Sequence, residues 1–415
     1  MRRVVITGMG TVNPLAHNVA DYWDALISGK SGAGPITQFD AEKFKTRFAC
    51  EVKDFDPLAH FSRSDARKYD RFTQFALVTA TQAVEQSKLL ESDFNKERVG
   101  VIWASGNGGI STLEHEMMEF AQGDGTPRFN PFLVPKMIIN IAPGLISIKY
   151  GFQGVNFATV SACTASNNAI MDAFNYIRWN KADVMVTGGS EAAVTVSSVG
   201  GFSSMKALST NNENPTGASR PFDKNRDGFV LGEGAGALIL EEYEHAMARN
   251  APILGEIIGA AMTSDAYHLT ATHPEGDGAY RAMKLAMEDA GVTIQDIDYV
   301  NAHATSTSVG DASELNAMAK ILAGSDKVLD VSATKSMTGH LLGAAGAIET
   351  IACVKALQEG IIPPTINLED ADEHIPANIN IIANKAQTKD IKICLNNTSG
   401  FGGHNAMLVF KKWEG

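Results

Sequence analysis

The stretch Asn156–Trp179, NFATVSACTASNNAIMDAFNYIRW, decides how the rest of the chain is read. Asn156–Val160 predicts a short strand and Ser161-Ala162-Cys163 a tight exit. From Thr164 the spacing of Ala165, Ala169, Ile170, Ala173, Phe174 and Ile177 predicts a helix. Cys163 therefore sits where a strand turns into a helix. The first helical turn leaves backbone N–H groups unpaired and carries about half a positive charge, so a thiol held there is expected to ionise below the ordinary value of about 8.5. Most cysteines are inert core residues. Placement at a helix start, among small residues that leave room for a substrate, favours a nucleophile here.

Outward from this junction the chain alternates apolar strands with amphipathic helices. Strands are predicted at Val4–Thr7, Val99–Ala104, Asp183–Thr187 and Ala237–Leu240, with helices over 17–30, 71–89 and 241–249. Prolines 127, 131, 135 and 143 break up residues 110–150, which reads as an insertion. Gly8-Met9-Gly10 lacks the third glycine of a dinucleotide fingerprint, and Asn13-Pro14 stands where its helix would begin. The second half repeats the plan, with strands at Ile253–Ala260, Tyr299–Ala302 and Val328–Ser332 and a helix at Gly278–Ala290. Val331-Ser332-Ala333-Thr334 echoes Val160-Ser161-Ala162-Cys163, and GEGAGALILEE at 232–242 is answered by GGHNAMLVFKK at 402–412. These echoes predict an α/β fold of two duplicated halves, 1–252 and 253–415, with mostly parallel sheets covered by helices and the two strand-to-helix junctions face to face.

Composition excludes several classes. With 415 residues, 44% hydrophobic and 20% charged, the chain is ordinary globular protein long enough for a sizeable core. A net charge of -12 argues against general nucleic-acid binding. Cys50, Cys163, Cys353 and Cys394 lie far apart without a C-x-x-C pair, which argues against a zinc site and fits a reducing compartment; a cytoplasmic location is expected. Met1-Arg2-Arg3 runs straight into a strand rather than a signal-peptide core, and no apolar run reaches the ~18 residues of a membrane span.

Two histidines stand at comparable points of the second half: His303 after the strand Tyr299–Ala302, and His340 in TKSMTGH, where small residues crowd a helix start. Strand ends are where open α/β sheets place ligands, so both join Cys163 as candidates, although a lone histidine is usually structural. Ser332-Ala333-Thr334-Lys335 spells S-x-x-K, but its serine lies on the strand side and neither S-D-N nor K-T-G accompanies it. Lys335 reads either as a surface cation or, if buried, as a charge that tunes its neighbours. The loop Ser399–Asn405, rich in glycine, is either a simple turn or a source of exposed N–H groups for an oxyanion.

The set Cys163, His303, Lys335 and His340, with TKSMTGHLLGAAGAIE at 334–349, GFGGHN at 400–405, SRPFDKNRDGFVLGEGAGA at 219–237 and SDAYHLT at 264–270, strongly resembles the β-ketoacyl-acyl-carrier-protein synthases, most nearly those of type II. The resemblance covers essentially the whole chain. It implies a thiolase fold, two halves stacked as five αβαβα layers, in a homodimer. It further implies an acyltransferase that extends fatty acids by decarboxylative condensation. Cys163 would carry the acyl chain, His303 and His340 would bind the malonyl thioester carbonyl, and the N–H groups of Cys163 and Phe401 would hold the second oxyanion. Lys335 would bias the electrostatics and Glu349 would organise the floor. Thr305 and Thr307 match the threonines that hold the pantetheine arm, and Phe202 and Gly402 match substrate-facing positions. No cofactor is required for catalysis; Asn301, Glu349, Asn396 and Asn397 match a structural Na+ or K+ site, with Asn396 where serine is common.

Other departures are Asn107 in place of an apolar gate against the acyl pocket, Ala304 and Ser308 for a glycine and a proline, and His404 for a threonine. The partner implied is acyl carrier protein, which is acidic like this chain, so docking calls for local positive charge. Arg67, Lys68, Arg128 and Lys206 match docking positions, and otherwise read as solvated charges. A degradative thiolase would need a second cysteine within 399–405, the Cys-His-Asn synthases lack the second histidine, and a non-catalytic chain-length partner would lack Cys163.

Overall fold

A computed structural model describes residues 1–415. Eleven strands form its main sheet: β1 (Val4–Val12), β2 (Val99–Ala104), β3 (Asn156–Thr159), β4 (Val184–Glu191), β5 (Gly234–Glu242), β6 (Gly255–Ser264), β7 (Tyr299–Asn301), β8 (Leu329–Ser332), β9 (Ile379–Ile381), β10 (Ile393–Gly400) and β11 (His404–Lys411). Their order is β9-β8-β7-β10-β11-β6-β1-β5-β4-β2-β3. The order is nearly palindromic about β1 and β6, which pair antiparallel over only Val4–Ile6 and Gly255–Ile257.

The expectation of mostly parallel pairing is corrected. β2 pairs parallel with β3 and β4, as does β7 with β8 and β10, and β8 with β9. β1–β5, β4–β5, β10–β11 and β6–β11 are antiparallel. The β10–β11 turn at Phe401–Gly403 shows why: a connection this short can only reverse the chain. β1, β4, β5 and β6 also run several residues beyond the predicted strands.

The helices explain the layering. α1 (Arg71–Ser87), α2 (Ile110–Gln122), α3 (Leu133–Met137) and α4 (Ile141–Tyr150) precede α5 (Ala165–Arg178). α6 (Asp277–Ala290), α7 (Ser308–Ile321), α8 (Lys335–Thr338) and α9 (Ala345–Glu359) follow. α9 is buried on all sides, from Ala345 through Val354, which suits only a helix enclosed by other layers. It packs against α5, and both lie between the two halves of the sheet in one core cluster with Ile170, Phe174, Leu240, Ile348 and Phe410. Gly346 allows the close approach, since a Cβ there would stand 2.3 Å from Asn167 Oδ1. α1 and α4 cover the outer face of the first half around Trp103, Phe72 and Phe75, and α6 and α7 cover that of the second around Met283, Leu315 and Val331. The result is the five-layered αβαβα thiolase fold. Residues 110–150, read as an interrupted insertion, hold three helices: Pro135 and Pro143 fall in first turns, where a missing N–H costs nothing. No helix is long and apolar enough to cross a membrane.

Candidate active site

Cys163 occupies the turn between β3 and α5. The preceding Ala162 is left-handed (φ 51°), and Thr164 N–H and Ala165 N–H donate to Ser161 O and Ala162 O at 3.2 Å each, so the chain reverses within three residues and sets the thiol at the mouth of α5. Gly400 makes room for it: a Cβ at Gly400 would approach Cys163 N to 3.0 Å. The half-buried thiol opens on a cavity of about 450 Å3 that is also lined by Asn107, Phe202, Lys206, His303, Thr305, Thr307, His340 and Phe401. Eight residues singled out in the sequence thus share one chamber with Cys163.

The thiol corrects one expectation. Burial pushes Cys163 up to about 12, opposed by the Lys335 charge and by the N–H groups of Phe401 and of Cys163 itself. Desolvation outweighs the helix start, so the resting group is the neutral thiol. The same observation supports another expectation, since those two N–H groups converge at the sulfur, where an oxyanion on an attacked carbonyl would form.

His303 and His340 face each other across the chamber with ring centroids 5.3 Å apart and planes at 88°. His340 is held from behind by Phe229, edge-on at 5.4 Å, and by its own N–H donating to Val230 O at 2.8 Å. Burial, then the Lys335 charge, holds both imidazoles well below their ordinary pKa. Each is therefore neutral and has one N–H to give. Lys335, on α8, is 1% exposed and binds the Glu349 carboxylate of α9, equally buried; neither reaches the chamber wall.

Thr305 and Thr307 place their hydroxyls 3.1 Å apart at the cavity wall, on a loop whose Ser306 is left-handed (φ 69°). Asp311 holds this loop by accepting from Ser306 N–H at 3.1 Å and Thr307 N–H at 3.3 Å. Phe401 packs near Phe202 with ring centroids 6.3 Å apart. Gly402 lies one residue outside the lining, with φ 84° and its N–H on Leu269 O at 2.8 Å. Among the docking candidates only Lys206 reaches the cavity; Arg67 and Arg128 are exposed elsewhere and Lys68 pairs with Asp65 at 3.3 Å.

Asn301, Glu349, Asn396 and Asn397 gather behind the histidines, where β7 pairs Asn301 with Asn396 of β10. Asn301 Oδ1, Glu349 Oε2, Asn396 Oδ1 and Asn397 Oδ1 are all buried and without a hydrogen-bond partner. Hard oxygens left unpaired in this way suit an alkali cation.

Three buried carboxylates escaped the sequence reading: Asp311, Glu314 and Glu191. Glu314 accepts from His303 N–H and Ala304 N–H at 2.8 Å each and from Asn397 Nδ2 at 3.1 Å. Glu191, 0% exposed at the end of β4, accepts four hydrogen bonds around the chamber. The signal for Glu191 was an acidic residue closing an apolar strand after Gly188-Gly189, and its partners are remote in sequence.

Known proteins resemble the chain along its whole length. The family model for the β-ketoacyl synthase N-terminal domain matches residues 1–246, and that for the C-terminal domain matches 254–369. A 3-oxoacyl-[acyl-carrier-protein] synthase 2 of Synechocystis sp. is 46% identical over 413 residues, covering 100% of this chain and 99% of the relative. A protein of the same name from Coxiella burnetii is 47% identical, covering 99% of both. Among solved structures, the ishigamide ketosynthase/chain length factor is 34% identical with a TM-score of 0.92, covering 99% of both chains. A type II polyketide ketosynthase solved with its acyl-carrier protein is 32% identical with a TM-score of 0.90, covering 100% of both. From sequence and structure together, the chain belongs to the β-ketoacyl synthase family.

Proposed function

We propose that this chain extends acyl chains by two carbons through decarboxylative condensation of malonyl-acyl-carrier protein with an acyl group held on Cys163. The observation that carries the reading is one chamber holding a thiol at a helix start, two neutral imidazoles 5.3 Å apart and converging N–H groups of Cys163 and Phe401.

In the first half-reaction the Cys163 sulfur attacks the thioester carbonyl of acyl-carrier protein. The carbon–sulfur bond to Cys163 forms while that to pantetheine breaks, and the thiol's proton passes, through a neutral imidazole, to the departing pantetheine thiolate. The two N–H groups hold the tetrahedral oxyanion. Malonyl-carrier protein then enters, its thioester carbonyl accepting N–H bonds from His303 and His340. Carbon dioxide departs, the enolate charge gathers on that oxygen, and the carbanion attacks the acyl-cysteine. The product is a 3-oxoacyl-carrier protein, and with one proton taken up Cys163 returns to the thiol. Thr305 and Thr307 bind the pantetheine arm, Phe202 and Gly402 shape the acyl side and its loop, and Lys335 keeps the imidazoles neutral while Glu349 fixes Lys335.

The reading needs no catalytic cofactor. Asn301, Glu349, Asn396 and Asn397 would hold a monovalent cation, supported by their four unpaired oxygens, and that ion would supply a structural counter-charge to the Glu349 carboxylate. Acyl-carrier protein docks through Lys206 at the mouth together with Arg67, Lys68 and Arg128. A homodimer forms along β3, which is an outer edge of the sheet and leads into Val160, 60% exposed. The two halves divide at 252/253, and four free cysteines accord with a cytoplasmic enzyme. The function is tested by supplying acyl- and malonyl-carrier proteins and following product by mass: a 3-oxoacyl product two carbons longer is expected, and malonyl consumption without it overturns the reading.

A further inference from the structure

The chamber's acyl side is built from two segments far apart in the chain. One is Gly106–Asn107, in the loop after β2; the other is Leu342–Gly343, just beyond His340. Gly106, Asn107 and Leu342 line the cavity beside Cys163, and Leu342, Phe229, Leu208 and Val199 form the apolar cluster against which Cys163 and Phe202 pack. An acyl chain on the sulfur has its apolar contacts there.

Neither segment lies in a strand or a long helix that would hold it in place. Leu342 is left-handed (φ 47°), a conformation that a branched side chain adopts only when its surroundings impose it. What imposes it stands between the two segments. Glu191 Oε2 accepts from Gly106 N–H at 2.8 Å and from Gly343 N–H at 3.0 Å, while Oε1 accepts from Asn107 N–H and from Ser105 Oγ, both at 3.0 Å. The spacing admits nothing larger: a Cβ on Gly106 or Gly343 would come within 2.8 or 2.9 Å of Oε2. One buried carboxylate therefore ties the loop from the first half to the loop from the second, and its four donors, two on each oxygen, fill its acceptor positions with groups from these two segments alone.

We propose that Glu191 is the positioning residue that fixes the two walls of the acyl chamber against each other, so that acceptance of longer acyl chains depends on its four hydrogen bonds. The proposal rests on the reading that Cys163 carries an acyl chain in this chamber. The carboxylate makes no hydrogen bond to the nucleophile or the imidazoles; its charge raises the Cys163 thiol, an effect common to every acyl length, so what depends on chain length comes through the walls. A short acyl group, which ends near the sulfur, is indifferent to them. A long one needs both walls in register, and a displacement of about 1 Å can cost up to about 100-fold.

The test is Glu191→Gln in the full-length protein, with transfer to Cys163 from butyryl- and dodecanoyl-carrier protein measured by intact mass against time. Glutamine keeps the volume but turns an N–H2 toward two of the four donors. The expected result is a fall of at least about tenfold in dodecanoyl transfer relative to butyryl transfer, seen mainly in KM. Ser105→Ala, which removes one donor, is expected to shift the ratio in the same direction by less. Should Glu191→Gln not fold, Ser105→Ala decides. An equal loss at both lengths, which is what a purely structural role produces, or an unchanged ratio in the variant that folds, overturns the proposal. If the wild-type protein accepts neither acyl group, the function itself falls and this inference with it.

Discussion

The imidazoles of His303 and His340 stand edge to face with centroids 5.3 Å apart, and the Nδ1 of each is buried without a hydrogen-bond partner. Burial disfavours a positive charge on either ring, and Lys335 opposes one. The unfolded chain takes up protons on these groups as pH falls through about 6.5, whereas the folded protein does not until a much lower pH. The unfolded state binds more protons in that window, so both histidines withdraw stability as pH drops below about 6.5 and withdraw none above it. The wild-type thermal midpoint is expected to fall between pH 7 and 5 more steeply than that of His340→Asn. Parallel curves would show that His340 is not held neutral.

Lys335 and Glu349, each 1% exposed, form a buried ion pair whose lone members are poorly tolerated. Lys335→Met leaves Glu349 without its partner, and removing one member of such a pair costs about 3–5 kcal/mol. Lys335 is also the main influence drawing the Cys163 thiol back down. The variant is expected to unfold at lower urea concentration, and alkylation of Cys163 by iodoacetamide should need higher pH than in the wild type. An unchanged alkylation profile would remove Lys335 from the electrostatics of the nucleophile.

How much of this was legible in the sequence depends on the range of the interaction concerned. The turn at Cys163 and the helix after it were readable because strand, small residues and 3.6-residue periodicity all lie within 24 consecutive positions. The buried helix α9 showed as a glycine- and alanine-rich run. Strand direction was not legible, because whether β5 runs with or against β4 is set by the loop-rich stretch between them and not by either strand's pattern. The thiol's ionisation was misjudged for a related reason: a helix start is local, but the desolvation that overrides it comes from the whole chamber. Glu191 and Glu314 were missed because their donors sit on other segments and the carboxylates look like any other acidic residue in the chain.

The four unpaired oxygens of Asn301, Glu349, Asn396 and Asn397 predict stabilisation by a small alkali cation. The thermal midpoint should be higher in sodium or potassium chloride than in N-methylglucamine chloride at equal ionic strength. Asn301→Ala should abolish the difference. Equal midpoints for the wild type in all three salts would leave the oxygens without this role.

β3 ends the sheet, and Val160 beside it is 60% exposed, with Ile148 of α4 77% exposed. An open edge flanked by apolar side chains predicts pairing with a second copy. Sedimentation velocity should find a dimer, and Val160→Arg should shift it toward monomer. A wild-type monomer at micromolar concentration would contradict the expected assembly.

The central claim, that Cys163 carries the growing chain, is tested most directly by the mass of the intact protein after exposure to a medium-chain acyl-carrier protein. The account predicts a gain of one acyl group, located on the peptide containing Cys163 and discharged when malonyl-carrier protein is added. Acylation at another residue, or an acyl-Cys163 that malonyl-carrier protein fails to discharge, would contradict it.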